Sequence, residues 1–163
     1  MDARAAIKGG LDMADMISQQ YLGDLSDADL LVRPVPGNNH IAWQLGHLIA
    51  SEHGMIEETL PGSMPKLPEG FVEKHSKETA GSDKASDFLT KAEYLKLMAE
   101  QRAATVKALA ATSDSDLDKP GPEKWRNFVP TVGAVFNMQG SHWLMHVGQW
   151  AVVRRKLGKP IVI

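Results

Sequence analysis

Apolar positions along this chain recur at intervals of three and four, not two. Between about Ala3 and Leu22, the residues Ile7, Leu11, Ala14, Ile17 and Tyr21 keep that spacing and predict a first helix. A second is predicted from about Asn39 to Leu60, stopped by Pro61-Gly62. Thr90 followed by Glu93 has the form of a capping box and opens a third. Tyr94, Leu97, Met98, Ala104, Thr105, Ala108 and Leu109 then fall on one of its flanks. The fourth begins near Thr131, directly after Pro130, and runs to about Leu157. Gly158 supplies its stop, and Arg154, Arg155 and Lys156 put cations in the last turn, where the helix dipole favours them. No segment sustains apolar–polar alternation, so the expected fold class is all-α, a four-helix bundle in a single domain over residues 1–163.

The connections carry topology. Residues 61–89, rich in Pro, Gly, Ser and Lys, are too many for a tight antiparallel turn. A loop of that length can run along a bundle and make helices two and three parallel neighbours. The other two connections echo each other. Leu25-Ser-Asp-Ala-Asp-Leu30 precedes Arg33-Pro-Val-Pro-Gly37, and Thr112-Ser-Asp-Ser-Asp-Leu117 precedes Lys119-Pro-Gly-Pro122. Each echo leads into a histidine-bearing helix, so two helix–turn–helix halves would bring helices two and four face to face.

Composition narrows the functions. Eighteen basic against twenty acidic residues, a net charge of −2, leave no excess for a polyanion, so a nucleic-acid partner is not expected. No apolar run approaches the roughly 18 residues of a membrane span. The first residues lack an apolar signal-peptide core, and a cytoplasmic location is expected by default. The chain has no cysteine, which excludes disulfides, thiolate metal sites and a cysteine nucleophile. A metal must therefore be held by His, Asp, Glu or backbone oxygens, and thiol chemistry would need a thiol from outside.

Candidate chemistry centres on Gly140-Ser-His-Trp-Leu-Met-His-Val-Gly-Gln149. On a helix, a spacing of four puts His142 and His146 on one face, as two nitrogen ligands to one cation require. At 100° per residue, Val135, Met138, His142, Met145, His146, Gln149, Val153 and Leu157 form one stripe, expected to face the core. The second helix has an apolar side and, opposite it, His40, Trp43, Gln44, His47, Ser51, Gly54 and Glu58, centred on His47 and suited to a cavity wall. His47, His142 and His146 can converge from facing helices, whereas His53 points elsewhere and His75 lies in the long loop. His40 shares the His47 face but lies two turns away, roughly 10 Å along the axis. Trp43, His40, Ser51, Met138 and Met145 are the candidate pocket residues, and Gln149 and Glu58 the candidate proton-handling groups. Three imidazoles without a fourth protein ligand make an open site suited to zinc, nickel, copper or iron. No Glu follows the first His of the pair, so the zincin protease arrangement is excluded.

Asn39-His-Ile-Ala-Trp-Gln-Leu-Gly-His-Leu48, Pro130-Thr-Val-Gly-Ala-Val135, the His142–His146 segment and Arg154-Arg-Lys-Leu-Gly-Lys-Pro160 together resemble the DinB-like superfamily of metal-dependent enzymes. The resemblance covers nearly the whole chain. It implies an up-down-down-up bundle, a divalent metal on His47, His142 and His146, and a homodimer. The metal implied is zinc or nickel, with iron or manganese as further candidates. Relatives include transferases and isomerases that use low-molecular-weight thiols.

Three functions follow. One is transfer of a low-molecular-weight thiol cosubstrate to a small electrophile, the thiol losing its proton beside the metal. Another is metal-dependent hydrolysis of a small molecule. The last is a non-catalytic stress or ligand-binding module. Because imidazoles must be neutral to bind metal, affinity is expected to fall as the pH drops through about 6.

Overall fold

The structure, a computed structural model, describes residues 2–163. Along the chain come α1 (Ala3–Leu22), α2 (Asp27–Leu30), α3 (Ile41–Thr59), α4 (Phe71–Lys74), α5 (Lys91–Ala111), α6 (Asp114–Leu117) and α7 (Val132–Lys156). Among the described residues there is no strand, only an isolated bridge between Pro120 and Thr131. The protein is all-α, as the spacing of its apolar residues requires. None of these helices is long and apolar enough to cross a membrane.

The long helices start and stop where local chemistry dictates. The Asp2 side chain accepts from Ala5 N at the start of α1, and Thr131 accepts from Ala134 N at the start of α7. Thr90 and Glu93 form the expected capping box of α5, each side chain accepting from the other's backbone N–H. Gly158, at φ +69°, takes the left-handed conformation that ends α7 without a Cβ penalty. The two Ser-Asp-x-Asp-Leu echoes are the single-turn helices α2 and α6. Ser26 and Ser113 cap them, and each buries its leucine, Leu30 or Leu117.

Helix α7 packs most extensively on α1, while α3 lies against both α7 and α5; the α1–α5 seam is lighter than these. Small residues let α1 and α7 approach closely, since a Cβ on Gly140 would lie 3.1 Å from Gly10 O. Near the ends of both helices, Arg154 donates to Tyr21 O at 2.8 Å and pairs with Asp24. Between α3 and α5, Thr105 donates to Glu52 at 2.7 Å, and His53 Nδ1 meets Gln101 Oε1 at 3.1 Å.

Two apolar clusters fill the interior. One is built on Leu45, Leu48, Tyr94, Trp143 and Trp150, the other on Leu11, Ile56, Leu109, Val135 and Phe136. A polar layer separates them. Its centre is Glu52, which accepts from Thr105 and from Trp143 Nε1 at 3.0 Å. Arg102 bridges it, with Nη2 3.0 Å from Glu52 and Nε 3.1 Å from Asp15.

The 61–89 connection is fastened along its length. It holds α4 and two 3-10 turns, Lys77–Thr79 and Ala85–Asp87. Arg33 donates to Ala80 O and Ser82 O, and Trp43 Nε1 donates to Ser76 O at 3.0 Å. His75 is buried against α3, with Nδ1 2.8 Å from Phe71 O and Nε2 2.7 Å from Tyr94 Oη. This loop therefore forms one wall beside the middle of α3.

Candidate metal centre

Helix α3 brings His47 to the seam with α7, and α7 brings His142 and His146 to the same point. One ligand nitrogen from each lies within 4.8 Å of those of the other two. The ring centroids are 5.3 Å apart for His47–His142, 5.6 Å for His47–His146 and 5.0 Å for His142–His146. His47 and His142 are half-buried, and His146 is 9% exposed. The cluster sits at the edge of the packed interior, open on one side.

The buried stripe of α7 differs from the one expected. It runs through Phe136, Gly140, Trp143, Val147, Trp150 and Arg154, rotated by about one residue, or 100°, from a stripe centred on the histidines. The two tryptophans decide this, because each buries a large ring and also finds an acceptor for its indole N–H. Val135, His146 and Val153 of the expected stripe are buried as well and mark the boundary between the two. Met145, on the outer side, is 57% exposed, and Gln149 is exposed as well.

Electrostatics keep the three rings neutral. Burial, and then the neighbouring His47 ring, pulls the His142 imidazole down to about 4. Burial, followed by the His142 and His47 rings, does the same to His146, also to about 4. His47 is lowered by burial and then by the charge of Lys77. The rings therefore hold free lone pairs well below neutral pH, as nitrogen ligands must. A set of three neutral imidazoles fits a borderline divalent cation.

The other expected site residues divide in two. Trp43 stacks on His47, ring centroids 5.1 Å apart and 5° from parallel. Ser51, one turn along α3 from His47, and Met138, one turn before His142 on α7, are half-buried beside the cluster. Met145 and Gln149 face outward. Glu58 is exposed, and its eleven-residue separation from His47 amounts to about 16 Å of helix. His40 serves the fold: it is the α3 N-cap, Nδ1 accepting from Trp43 N and Nε2 lying 3.1 Å from Ser82 O. Both nitrogens are used, which leaves none for a cation.

Residues 11–150 match the DinB superfamily profile. The chain belongs to the DinB superfamily. No curated protein sequence matches it. The crystal structure of a conserved protein from Enterococcus faecalis has a similar fold, with a TM-score of 0.72 over 98% of this chain and 99% of that one, at 19% identity. Membership in the superfamily, together with the clustered histidines, fits a metal-dependent enzyme.

One residue beside this DinB-superfamily triad escaped sequence reasoning. Gln44 was read as part of the α3 stripe, yet its Oε1 lies 2.9 Å from His146 Nδ1 and accepts from Trp150 Nε1 at 2.9 Å. The available signal was its place one turn before His47, opposite a histidine-bearing helix that also carries a tryptophan.

Proposed function

We propose that the protein is a metal-dependent enzyme that transfers a low-molecular-weight thiol to a small electrophile. The observation that carries this reading is the convergence of three neutral imidazoles, from α3 and α7, at a seam open to solvent. His47, His142 and His146 would hold one divalent cation, zinc or nickel before iron or manganese. A cation there supplies Lewis acidity, which lowers the pKa of a thiol or water within its reach.

The chain's own residues support thiol transfer in three ways. It has no cysteine, so a thiolate must come from a cosubstrate. The half-buried His47 and His142 rings leave part of their surface to a small organic molecule, and the buried Trp43 indole stacks behind His47. No carboxylate perturbs the three neutral imidazoles, so a cation held by them would keep its full charge and suit an anionic sulfur. In the net reaction the thiol's S–H bond is replaced by an S–C bond to the electrophile. The proton passes to solvent, and the leaving group departs with its electron pair.

An up-down-down-up helix order belongs to the same reading. Its support is that Gly10 meets Gly140 and Tyr21 meets Arg154, while Glu52 meets Thr105 across α3 and α5. A homodimer acting on a small molecule is proposed with it, on family resemblance.

Metal content of untagged protein, measured by plasma mass spectrometry, tests the centre. About one equivalent of metal is expected in the parent, and none in folded His47→Ala or His142→Ala. Thiol-dependent product formation, lost in the same variants, is the expected activity. Product formed from water without thiol would favour hydrolysis. A metal that only raises the melting temperature would favour a binding module.

A further inference from the structure

The buried Gln44 amide can sit only one way round. Trp150 Nε1 is a donor and nothing else, and it lies 2.9 Å from Gln44 Oε1. Asn39 O is an acceptor and nothing else, and it receives the Gln44 Nε2–H at 2.7 Å. An amide turned over would set donor against donor at one end and acceptor against acceptor at the other. The oxygen is therefore the atom that faces His146, 2.9 Å from Nδ1.

An oxygen acceptor at that distance requires a proton on the ring nitrogen opposite. We infer that Gln44 holds His146 as its Nδ1–H tautomer, which leaves the lone pair of Nε2 free as the ring's ligand atom. This rests on the three-histidine metal reading and deepens it: Gln44 is a positioning residue that prepares one ligand before any cation arrives. Among the described residues, neither His47 nor His142 has a protein partner on its ring nitrogens, so His146 is the preset member of the triad. The choice of an amide also matters. A carboxylate in this position would lend negative charge to the imidazole, whereas Gln44 sets the tautomer and leaves the centre's charge undiminished.

The test uses ring-nitrogen NMR of histidine-labelled, metal-free protein near pH 7.5, together with zinc affinity by chelator competition. Gln44→Met removes the acceptor at similar volume. Gln44→Glu keeps an oxygen toward His146 and, protonated on its other oxygen, a donor toward Asn39. His146 should carry its proton on Nδ1 in the parent and in Gln44→Glu, and lose that preference in Gln44→Met. Zinc affinity should fall about 10- to 100-fold in Gln44→Met and recover in Gln44→Glu. A proton on Nε2 of His146 in the parent would overturn the inference, as would a folded Gln44→Met that binds zinc as tightly as the parent. Should Gln44→Met fail to fold, the parent spectrum alone decides. A parent with the Nδ1–H tautomer that takes up no zinc would refute the metal reading and uphold the tautomer.

Discussion

A Cβ added to Gly46 would lie 1.9 Å from His75 Cδ2 and 2.3 Å from its Nε2. The glycine before His47 is thus the notch into which the long loop's histidine seats. His75 cannot turn aside, since its two nitrogens are held by Phe71 O and Tyr94 Oη. Gly46→Ala is expected to cost about 1–3 kcal/mol in denaturant unfolding. Combined with His75→Ala it should cost clearly less than the sum of the two, and strict additivity would show that the notch does not matter. The pH response is also a residue-scale matter. Burial depresses His142 and His146 to about 4, so their neutral, ligand-competent form persists far below the value of a solvated imidazole. Burial lowers His47 as well, so zinc affinity should fall at a lower pH than it would with solvated imidazoles. A loss near pH 6 is what solvated rings would give. A tenfold loss already at pH 6 would show that these rings are solvated.

At the scale of elements, each long helix begins at a side-chain cap, and that of α5 was readable from the spacing of Thr90 and Glu93. Thr90→Ala removes the Thr90 half of the α5 capping box and should cost about 1 kcal/mol, or roughly 2–4 °C in melting temperature for a chain of this size. No change would mean that packing alone sets the start of α5. The face each helix buries was harder to read. The α7 stripe centred on its histidines is rotated from the true one because polar and apolar residues alternate irregularly there. Trp143 and Trp150 win the interior by area and by satisfied indole N–H groups. For the same reason Met145 and Gln149 face outward.

On the scale of the whole molecule, buried Glu52 and Arg102, with half-buried Asp15, tie α1, α3 and α5 together, and Trp143 adds α7. Burial raises the Asp15 carboxyl to about 6 even with Arg102 beside it. Removing the guanidinium in Arg102→Ala would leave the buried Glu52 carboxylate without its counter-charge, with half-buried Asp15 nearby, at a cost of about 3–5 kcal/mol. Chemical denaturation would measure it, and an unchanged midpoint would mean that water already enters the layer. Glu52 anchors the Trp143 indole inward, so the adjacent His142 is left at the rim.

The sequence by itself determined the helical class, the four long helices nearly to the residue, and the candidate triad of His47, His142 and His146. These depend on local spacing, on caps, and on motifs whose meaning survives without the fold. Tertiary structure decided the rest, because it depends on partners far apart in the chain. Asn39 and Trp150 orient Gln44, and Ser82 occupies His40, which on its helix face alone reads as a pocket residue. Gly46 acquires its role from a histidine 29 positions later. A single helix face states which residues point together. Which of them remain free for chemistry is settled by the hydrogen bonds that the rest of the chain has already claimed.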